Sequence, residues 1–572
     1  RIRIWGDPGV ESPPFGWGLS PTYPATRRVG QLMLSIDGVA DTVLTRLDGD
    51  PGALDHLRYD VTNLAHYLRR DAEVLVVGAG GGRDVLSALV FGQRQVVAIE
   101  VNEAILEAIN RTFGAYTGHL DRRPSVRFVN DEARSYIARL DRRFDIIQLS
   151  FIDTFAATAA GAYVLTEHSL YTVEAWRTFL DHLSPRGILT VSRWHFHRLP
   201  AEIHRLVALG TAALLESGIS RPRDHMVLVR TRAGADPNYP STIGVGTLLI
   251  AREPFSDQDL DETRAVATRL GFEVALDAHT IIDRTLAALS APDTLAGAIA
   301  ASPLDISPPT DDRPFFFHTV PLGRALRLAA TDQGNVSFNI AAVLVLVGGL
   351  IVAGGLTAAG LAGVVAVRRQ HPEDGGVRAC DAIFFAAIGL GYILVEISQL
   401  QRLTVFLGHP TLGLVVVLFA LLLSSGAGSF AVSRRAWAGS RTAPVAPLVI
   451  IPVVILAFGA LTPAVIAPLQ SLETPWRIVI AIALLAPIGV VMGMAFPWGL
   501  ELVRRRAPAA TPWLWALNGA ASVLGSLGAM LVSISVGVSA AFWSGAAAYL
   551  VAAAAGVRMA GPISDGRDGA PR

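Results

Sequence analysis

The second part of the chain, from Phe338 onward, consists mostly of long apolar runs with few charges. The seven runs cover residues 338–367, 382–400, 412–432, 448–469, 478–499, 513–536 and 540–557. Runs of this kind cross a bilayer core of about 30 Å as helices. Glycine, alanine and serine recur along them, and small residues let helices approach closely in lipid. We therefore expect an all-α transmembrane bundle of seven spans within residues 336–560, followed by a disordered tail at 561–572.

Composition agrees with a large membrane part, since 51% of the residues are hydrophobic and 17% are charged. The 48 basic residues are all arginine, which excludes lysine-based catalysis, and 48 acidic residues balance them, so no nucleic acid partner is indicated. The single cysteine, Cys380, excludes an internal disulfide and a cysteine metal site. His195 and His197 have no carboxylate at a metal-binding spacing, so no metal is expected. The chain begins with Arg1, not Met, which suggests a processed form or a fragment.

Residues 74–102, VLVVGAGGGRDVLSALVFGQRQVVAIEVN, have the pattern of a buried strand, a glycine turn, a helix and a second buried strand. The second strand ends in Glu100. Glycines let the backbone approach a nucleoside-bearing ligand, and an acid at the tip of the next strand can hold ribose hydroxyls. This stretch predicts the opening βαβ unit of a nucleoside-binding domain. An αβ turn without a ligand is the alternative.

Further apolar strands alternate with helical stretches up to about residue 300. Alternation of this length predicts a parallel sheet with helices on both faces, so we expect an α/β Rossmann-like domain over residues 71–330. Residues 1–70 should form an irregular lead-in, then a small β-hairpin within 31–48 that turns at Asp37 and Gly38, then a helix over 54–68.

Three acids follow successive predicted strands: Glu100, Asp131 and Asp153. Ligands of open α/β sheets bind beyond the carboxyl ends of the strands, so the three should meet in one crevice. Glu100 is placed for a ribose, Asp131 for the amino group of an adenine, and Asp153 for the reacting end. For each of these acids taken alone, a solvent-exposed carboxylate in a loop is an equally good explanation.

The order of motifs resembles the spermidine synthase-like branch of the S-adenosylmethionine-fold transferases, fused to a multi-pass membrane domain. The soluble part is similar through VLVVGAGGGRDVLSAL, VVAIEVN, NDEARSYI, FDIIQLSFIDT and LSPRGILTVSRW, and the membrane part through GYILVEISQLQRL and GMAFPWGLEL. The resemblance implies a class I methyltransferase or spermidine synthase-like fold. The implied cofactor is S-adenosylmethionine or decarboxylated S-adenosylmethionine.

The resemblance also implies roles for individual residues. The donor would be bound by Gly78, Gly80, Gly82, Arg83, Asp84, Glu100, Asn102, Asp131 and Glu132. Asp153 is the candidate catalytic base, with Tyr163 and Glu167 as further catalytic candidates near the same mouth.

Two departures from the family pattern affect the reaction. Ser150 stands where aminopropyltransferases carry the first of two acids after the fourth strand, and the glycine loop continues with Arg83 and then Asp84. An arginine near the donor tail favours a carboxylate there. We therefore expect intact S-adenosylmethionine to bind at least as well as the decarboxylated form. A solvent-facing Arg83 at the helix start is the alternative.

The sequence thus favours a membrane-bound transferase that acts on a small-molecule amine or a membrane-associated acceptor, with the lipid bilayer as its surroundings. A methyltransferase on the same scaffold is one alternative. A transporter or sensor with a non-catalytic nucleoside-binding domain is another. A homo-oligomer is compatible with the sequence. Within the spans, Glu396 is the main acid, and it indicates a polar pathway, a pairing with Arg402, or packing alone.

The distribution of arginines and the expected ligand predict opposite orientations of the chain in the membrane. Across seven spans, most loop arginines fall on one face: Arg368, Arg369, Arg378, Arg434, Arg435, Arg441, Arg504, Arg505, Arg506 and Arg558. The positive-inside rule puts that face in the cytoplasm and the nucleoside-binding domain outside. Because S-adenosyl donors are made in the cytosol, we expect a multi-pass protein of the cell membrane with this domain on the cytoplasmic side.

Overall fold

A computed structural model describes residues 2–36, 40–152, 167–232, 243–325, 337–370, 378–434 and 446–560. The chain forms two compact units, Arg1–Val343 and Leu344–Arg572. The predicted tail at 561–572, and the predicted turn at Asp37 and Gly38, lie outside the described residues.

The N-terminal unit contains two sheets. The strands are β1 (Ile2–Trp5), β2 (Glu11–Ser12), β3 (Val29–Ile36), β4 (Ala40–Thr45), β5 (Glu73–Val77), β6 (Gln95–Glu100), β7 (Val126–Asn130), β8 (Phe144–Ser150), β9 (Leu183–Phe196), β10 (Met226–Arg230), β11 (Ile243–Ala251) and β12 (Glu273–Leu276). In the small sheet, β3 pairs antiparallel with β1, β2 and β4. The β3–β4 hairpin was predicted, whereas the strands β1 and β2 fall in the stretch expected to be irregular.

The large sheet has eight strands in the order β12-β10-β11-β9-β8-β5-β6-β7. The five strands from β9 to β7 in this order are parallel, and β11 runs antiparallel to both β9 and β10. The central strands are buried because they read as continuous apolar runs, with Val74, Leu75 and Val76 at 0% exposure. The predicted α/β Rossmann-like fold is confirmed, and the strand order is that of class I methyltransferases. The expectation of a wholly parallel sheet is wrong, since β11 and β12 make the sheet mixed.

Nine helices of the described residues belong to the N-terminal unit alone. They are α1 (Ala65–Leu68), α2 (Arg83–Val90), α3 (Glu103–Glu107), α4 (Ala133–Ala138), α5 (Val173–Asp181), α6 (Ala201–Glu216), α7 (Asp257–Leu270), α8 (Arg284–Leu289) and α9 (Pro292–Ala301). The single helix predicted over 54–68 is wrong, since short 3-10 turns replace most of it. The Asp60 side chain accepts from the Thr62 and Gly18 backbone N–H groups and so competes with helical bonding.

Seven long helices make up the remaining described chain: α10 (Ser337–Gln370), α11 (Ala379–Leu407), α12 (Pro410–Arg434), α13 (Ala446–Ile466), α14 (Thr474–Arg506), α15 (Thr511–Ser535) and α16 (Val538–Ala560). All seven are long and apolar enough to cross a membrane, as predicted. Small residues permit close packing of α12 and α14, where a Cβ on Gly428 would lie 1.9 Å from the Val490 carbonyl oxygen.

Candidate functional site

The glycine loop between β5 and α2 is held in conformations that suit glycine. Gly78, Gly80 and Gly82 have φ angles of +74°, +50° and +85°. Among the described residues, a Cβ on Gly80 would have only the Gly78 carbonyl oxygen near it, at 3.9 Å, so this part of the chain leaves space above the residue. A Cβ on Gly81 would instead lie 2.1 Å from the Val43 carbonyl oxygen, so the β3–β4 hairpin covers the other side of the loop. The loop thus has one covered side and one open side.

Glu100 lies at the end of β6, against this loop. Its two carboxylate oxygens accept from the backbone N–H groups of Gly80 and Asn102, each at 3.0 Å. Burial raises the pKa of Glu100, while the N–H groups of Asn102 and Gly80 limit the rise. A carboxylate held by main-chain donors on both oxygens has a fixed position, and each oxygen keeps a lone pair for a further donor.

Arg83 is buried, so the alternative of a solvent-facing Arg83 is wrong. An acid of the same unit already neutralises its charge. Its guanidinium forms an ion pair with Asp60, and the side chains are 5% and 1% exposed. Arg83 Nη1 also lies 3.7 Å from Asp84 Oδ1. The expectation that Arg83 attracts a carboxylate on the donor tail needs correction, because Asp60 already neutralises it.

Asp84 and Ser150, far apart in sequence, meet at the carboxyl end of β8. Ser150 lies close enough to the Asp84 carboxylate to act on its pKa. Burial raises the pKa of Asp84 to about 6, although Arg83 and Ser150 act in the opposite direction. The carboxyl end of β8 thus presents a hydroxyl, that of Ser150, beside the buried Asp84 of α2.

A row of buried polar side chains leads to this pair. Gln148 Nε2 lies 3.2 Å from Ser150 Oγ, and Gln148 Oε1 lies 2.9 Å from His66 Nε2. The other ring nitrogen, Nδ1, accepts from Gln93 Nε2 at 3.1 Å. Burial lowers the pKa of His66 to about 4, so its ring is neutral near pH 7. The row places a fixed set of donors beneath the crevice.

The other residues predicted to bind the donor lie just after β6 and β7. Asp131 follows β7 as expected, and its carboxylate pairs with Arg139 while remaining 20% exposed. Glu132 is the N-cap of α4, with its oxygens bonded to the backbone N–H groups of residues 134 and 135. The Asn102 side chain caps α3. The side chains of Glu132 and Asn102 thus cap helices, and the donor-binding role expected of both stays a prediction.

The catalytic candidates Asp153 and Tyr163 lie outside the described residues. Glu167, the third candidate, is partly buried, just before α5. Directly after Ser150, Phe151 has a φ of +51°, which is unusual for a residue with a side chain. Strain of this kind concentrates at functional sites, where it re-aims the chain.

An aromatic cluster beside Ser150 was not found from the sequence. The Phe151 ring stacks on Trp17 with centroids 4.9 Å apart and lies 4.7 Å from Trp194. Trp17 comes from the lead-in that was expected to be irregular, so only the tryptophan itself signalled a role. Among the described residues, no group of three or more metal-ligating side chains occurs.

No family model matches the chain. The chain is similar to a spermidine synthase in complex with the transition state analogue AdoDATO, at 14% identity, 49% coverage of this chain, 86% of that chain and a TM-score of 0.28. Spermidine synthase from Thermotoga maritima is 15% identical, with 48% of this chain and 84% of that chain covered and a TM-score of 0.27. Human methyltransferase-like protein 13 in complex with SAH is 16% identical, with 38% of this chain and 91% of that chain covered and a TM-score of 0.26. The strand order, not these similarities, gives the N-terminal unit its fold, that of class I methyltransferases and spermidine synthases.

Proposed function

We propose that the N-terminal unit binds an S-adenosyl donor beyond β5, β6 and β7 and transfers a group from it to an amine. The position of Glu100 carries this proposal, since two backbone N–H groups hold its carboxylate beside a glycine loop with open space. A carboxylate so placed accepts hydrogen bonds from ribose hydroxyls. Asp131, after the next strand, would accept from the adenine amino group.

The chemistry is an in-line displacement at a carbon attached to the donor's sulfonium. The acceptor nitrogen forms a bond to this carbon, the carbon–sulfur bond breaks, and its electron pair leaves with sulfur as a neutral thioether. The nitrogen then loses a proton to a base. Because the leaving group is already good, the protein needs mainly to align the acceptor and remove that proton. Asp153 is our proposed base, with Tyr163 and Glu167 as further candidates.

The charges behind the glycine loop favour a donor tail that lacks a carboxylate. Asp60 and Arg83 neutralise each other, and Asp84 adds a negative charge above its pKa of about 6. This excess charge attracts an ammonium group and repels a carboxylate. We therefore propose decarboxylated S-adenosylmethionine as the preferred donor and aminopropyl transfer as the reaction, which reverses the expectation from Arg83 alone.

Calorimetry on the full chain in lipid nanodiscs tests the donor preference. At pH 7.5 we expect the decarboxylated donor to bind about tenfold more tightly than S-adenosylmethionine, about 1.4 kcal/mol. The preference should shrink as the pH falls through about 6, because Asp84 becomes protonated there. Asp84→Asn should remove this pH dependence, whereas Asp121→Asn, at an exposed position, should not. Equal affinities would contradict the donor preference only, and failure of both donors to bind would contradict the proposed function.

Transfer itself is measured by incubating membranes that contain the chain with labelled donors and a panel of polyamines. We expect label from the aminopropyl group to appear on an amine, and Asp153→Asn should abolish it while donor binding survives. Label from the methyl group of S-adenosylmethionine would identify a methyltransferase instead. Donor binding without any transfer would identify a sensor or a transporter.

The acceptor is proposed to be a small amine or a molecule held at the lipid bilayer. We propose that the N-terminal unit faces the cytoplasm, where its donor is made. Protease accessibility of this unit in sealed vesicles of known orientation measures its side directly. Cleavage only in vesicles that expose the extracellular face would contradict the assignment and would support the arginine distribution.

A further inference from the structure

One face of α11 carries polar side chains within the second compact unit, Leu344–Arg572, which we call the membrane unit. Tyr392, Glu396 and Gln399 are spaced by four and three residues, so they share one side of the helix. Farther along this side, the Phe385 ring lies 5.4 Å from the Phe496 ring of α14. The polar side chains therefore lie on the side of α11 that faces neighbouring helices of the same unit.

Tyr392 is connected to both neighbouring helices. Its hydroxyl oxygen lies 3.2 Å from Ser425 Oγ on α12, and Ser425 Oγ donates to the Gly489 carbonyl oxygen on α14 at 3.1 Å. Since the Ser425 hydrogen is used by Gly489, the Tyr392 hydroxyl is the donor to Ser425. The lone pairs of the Tyr392 oxygen are then available to accept.

Gln399 is completely buried, and among the described residues neither its amide nitrogen nor its amide oxygen has a hydrogen-bond partner. A buried polar atom without a partner destabilises the folded chain, because it has lost its hydrogen bonds to water. An apolar side chain of similar shape would not carry this cost, so packing alone does not account for an amide here.

Glu396 lies one turn from each of the other two. The pairing with Arg402 that the sequence suggested is wrong, since Arg402 Nη2 donates to Ser539 Oγ at 2.8 Å and the ion pairs of the described membrane helices do not include Glu396. A carboxylate within a span is costly and is normally paired or functional.

We propose that Tyr392, Glu396 and Gln399 form a binding site for a small monovalent cation within the membrane unit. The site offers a carboxylate, an amide oxygen and a phenol oxygen whose hydrogen points away. Oxygen ligands of this kind bind an alkali metal ion or the ammonium group of a primary amine, and the site is separate from the proposed transferase site.

Carboxyl labelling measures occupancy of this site. Dicyclohexylcarbodiimide reacts with protonated carboxyl groups in apolar surroundings, so a cation bound to ionised Glu396 protects it. We expect mass spectrometry of the full chain in nanodiscs to find the adduct on Glu396, and protection by sodium, potassium or propylammonium chloride. Protection by the first two alone identifies an alkali ion site, and by the third alone an amine site. No adduct on Glu396, or no protection by any of the three beyond that of choline chloride, overturns the proposal.

Gln399→Leu separates a binding role from a structural one. Because it removes an unpaired buried amide, this variant should match or exceed the native chain in thermal stability, while the cation concentration needed for protection rises about tenfold or more. Gln401→Leu is the matched control: it also replaces a buried amide of α11, but on the opposite side of the helix. Equal loss of protection in both variants, or a loss of stability without a loss of protection in Gln399→Leu, contradicts the proposed site.

Discussion

Replacing Glu100 with alanine is expected to weaken binding of the S-adenosyl donor by about 100-fold or more. The loss follows from removing both ribose hydrogen bonds to a charged acceptor, each of which contributes about 1.5–3 kcal/mol. The fold should survive, because the strand β6 is held by its pairing with β5 and β7 and not by the Glu100 side chain. Calorimetry with the decarboxylated donor, alongside circular dichroism of the same sample, measures both quantities.

Two variants make the Glu100 result specific. Glu100→Gln keeps the shape and one acceptor oxygen, so its affinity should fall between those of the native chain and the alanine variant. Glu103→Ala removes a neighbouring carboxylate that is exposed and should bind the donor normally. Native affinity in Glu100→Ala would exclude this crevice as the donor site, whatever the chain's other activities.

Asp60→Asn is expected to have the largest effect on stability, a loss of about 3–5 kcal/mol. Asp60 is completely buried, and the substitution leaves the buried Arg83 guanidinium without its neutralising partner. Asp84, 3.7 Å from Arg83 Nη1, offsets part of this cost and places the expected value toward the lower end. Urea unfolding of the purified chain, followed by near-ultraviolet circular dichroism of the N-terminal unit, gives the free energy of unfolding.

The control for this prediction is a pair of the same chemistry at the surface. Arg177 and Glu216 are 47% and 52% exposed, and their side chains lie 3.2 Å apart. Exposed pairs contribute less than about 1 kcal/mol, so Glu216→Gln should barely change stability. If Asp60→Asn and Glu216→Gln gave equally small losses, the Asp60–Arg83 pair would not be a stabilising element of the glycine loop.

The sequence predicted those parts of the site that depend on local pattern. The βαβ unit, its glycines and Glu100 follow from an apolar strand, a glycine turn and a second apolar strand within residues 74–102. Spacing along the chain specifies such a unit because its elements are consecutive. The seven spans were also predicted, since each one is recognised from its own run of apolar residues.

Contacts between residues far apart in sequence could not be predicted, because no local spacing specifies them. Arg83 was misjudged because its partner, Asp60, belongs to a stretch predicted as a helix, and no spacing rule joins the two. Trp17, near the start of the chain, and Trp194, in β9, both contact Phe151 although they are far apart in sequence. The roles of Asp153 and Tyr163 stay predictions, as both lie outside the part of the chain that is described.

The buried row beneath the crevice has a single polarity. The Gln93 amide cannot turn over, since its oxygen accepts from the Ala72 backbone N–H and its nitrogen donates to the Arg69 carbonyl oxygen. That orientation makes His66 Nδ1 an acceptor, so the ring hydrogen is on Nε2 and Gln148 directs its own hydrogens toward Ser150. Ser150 Oγ accepts at the end of the row, so its own hydrogen is not used by Gln148. The tautomer of the His66 ring is therefore set by main-chain groups of residues 69 and 72 at the other end of the row.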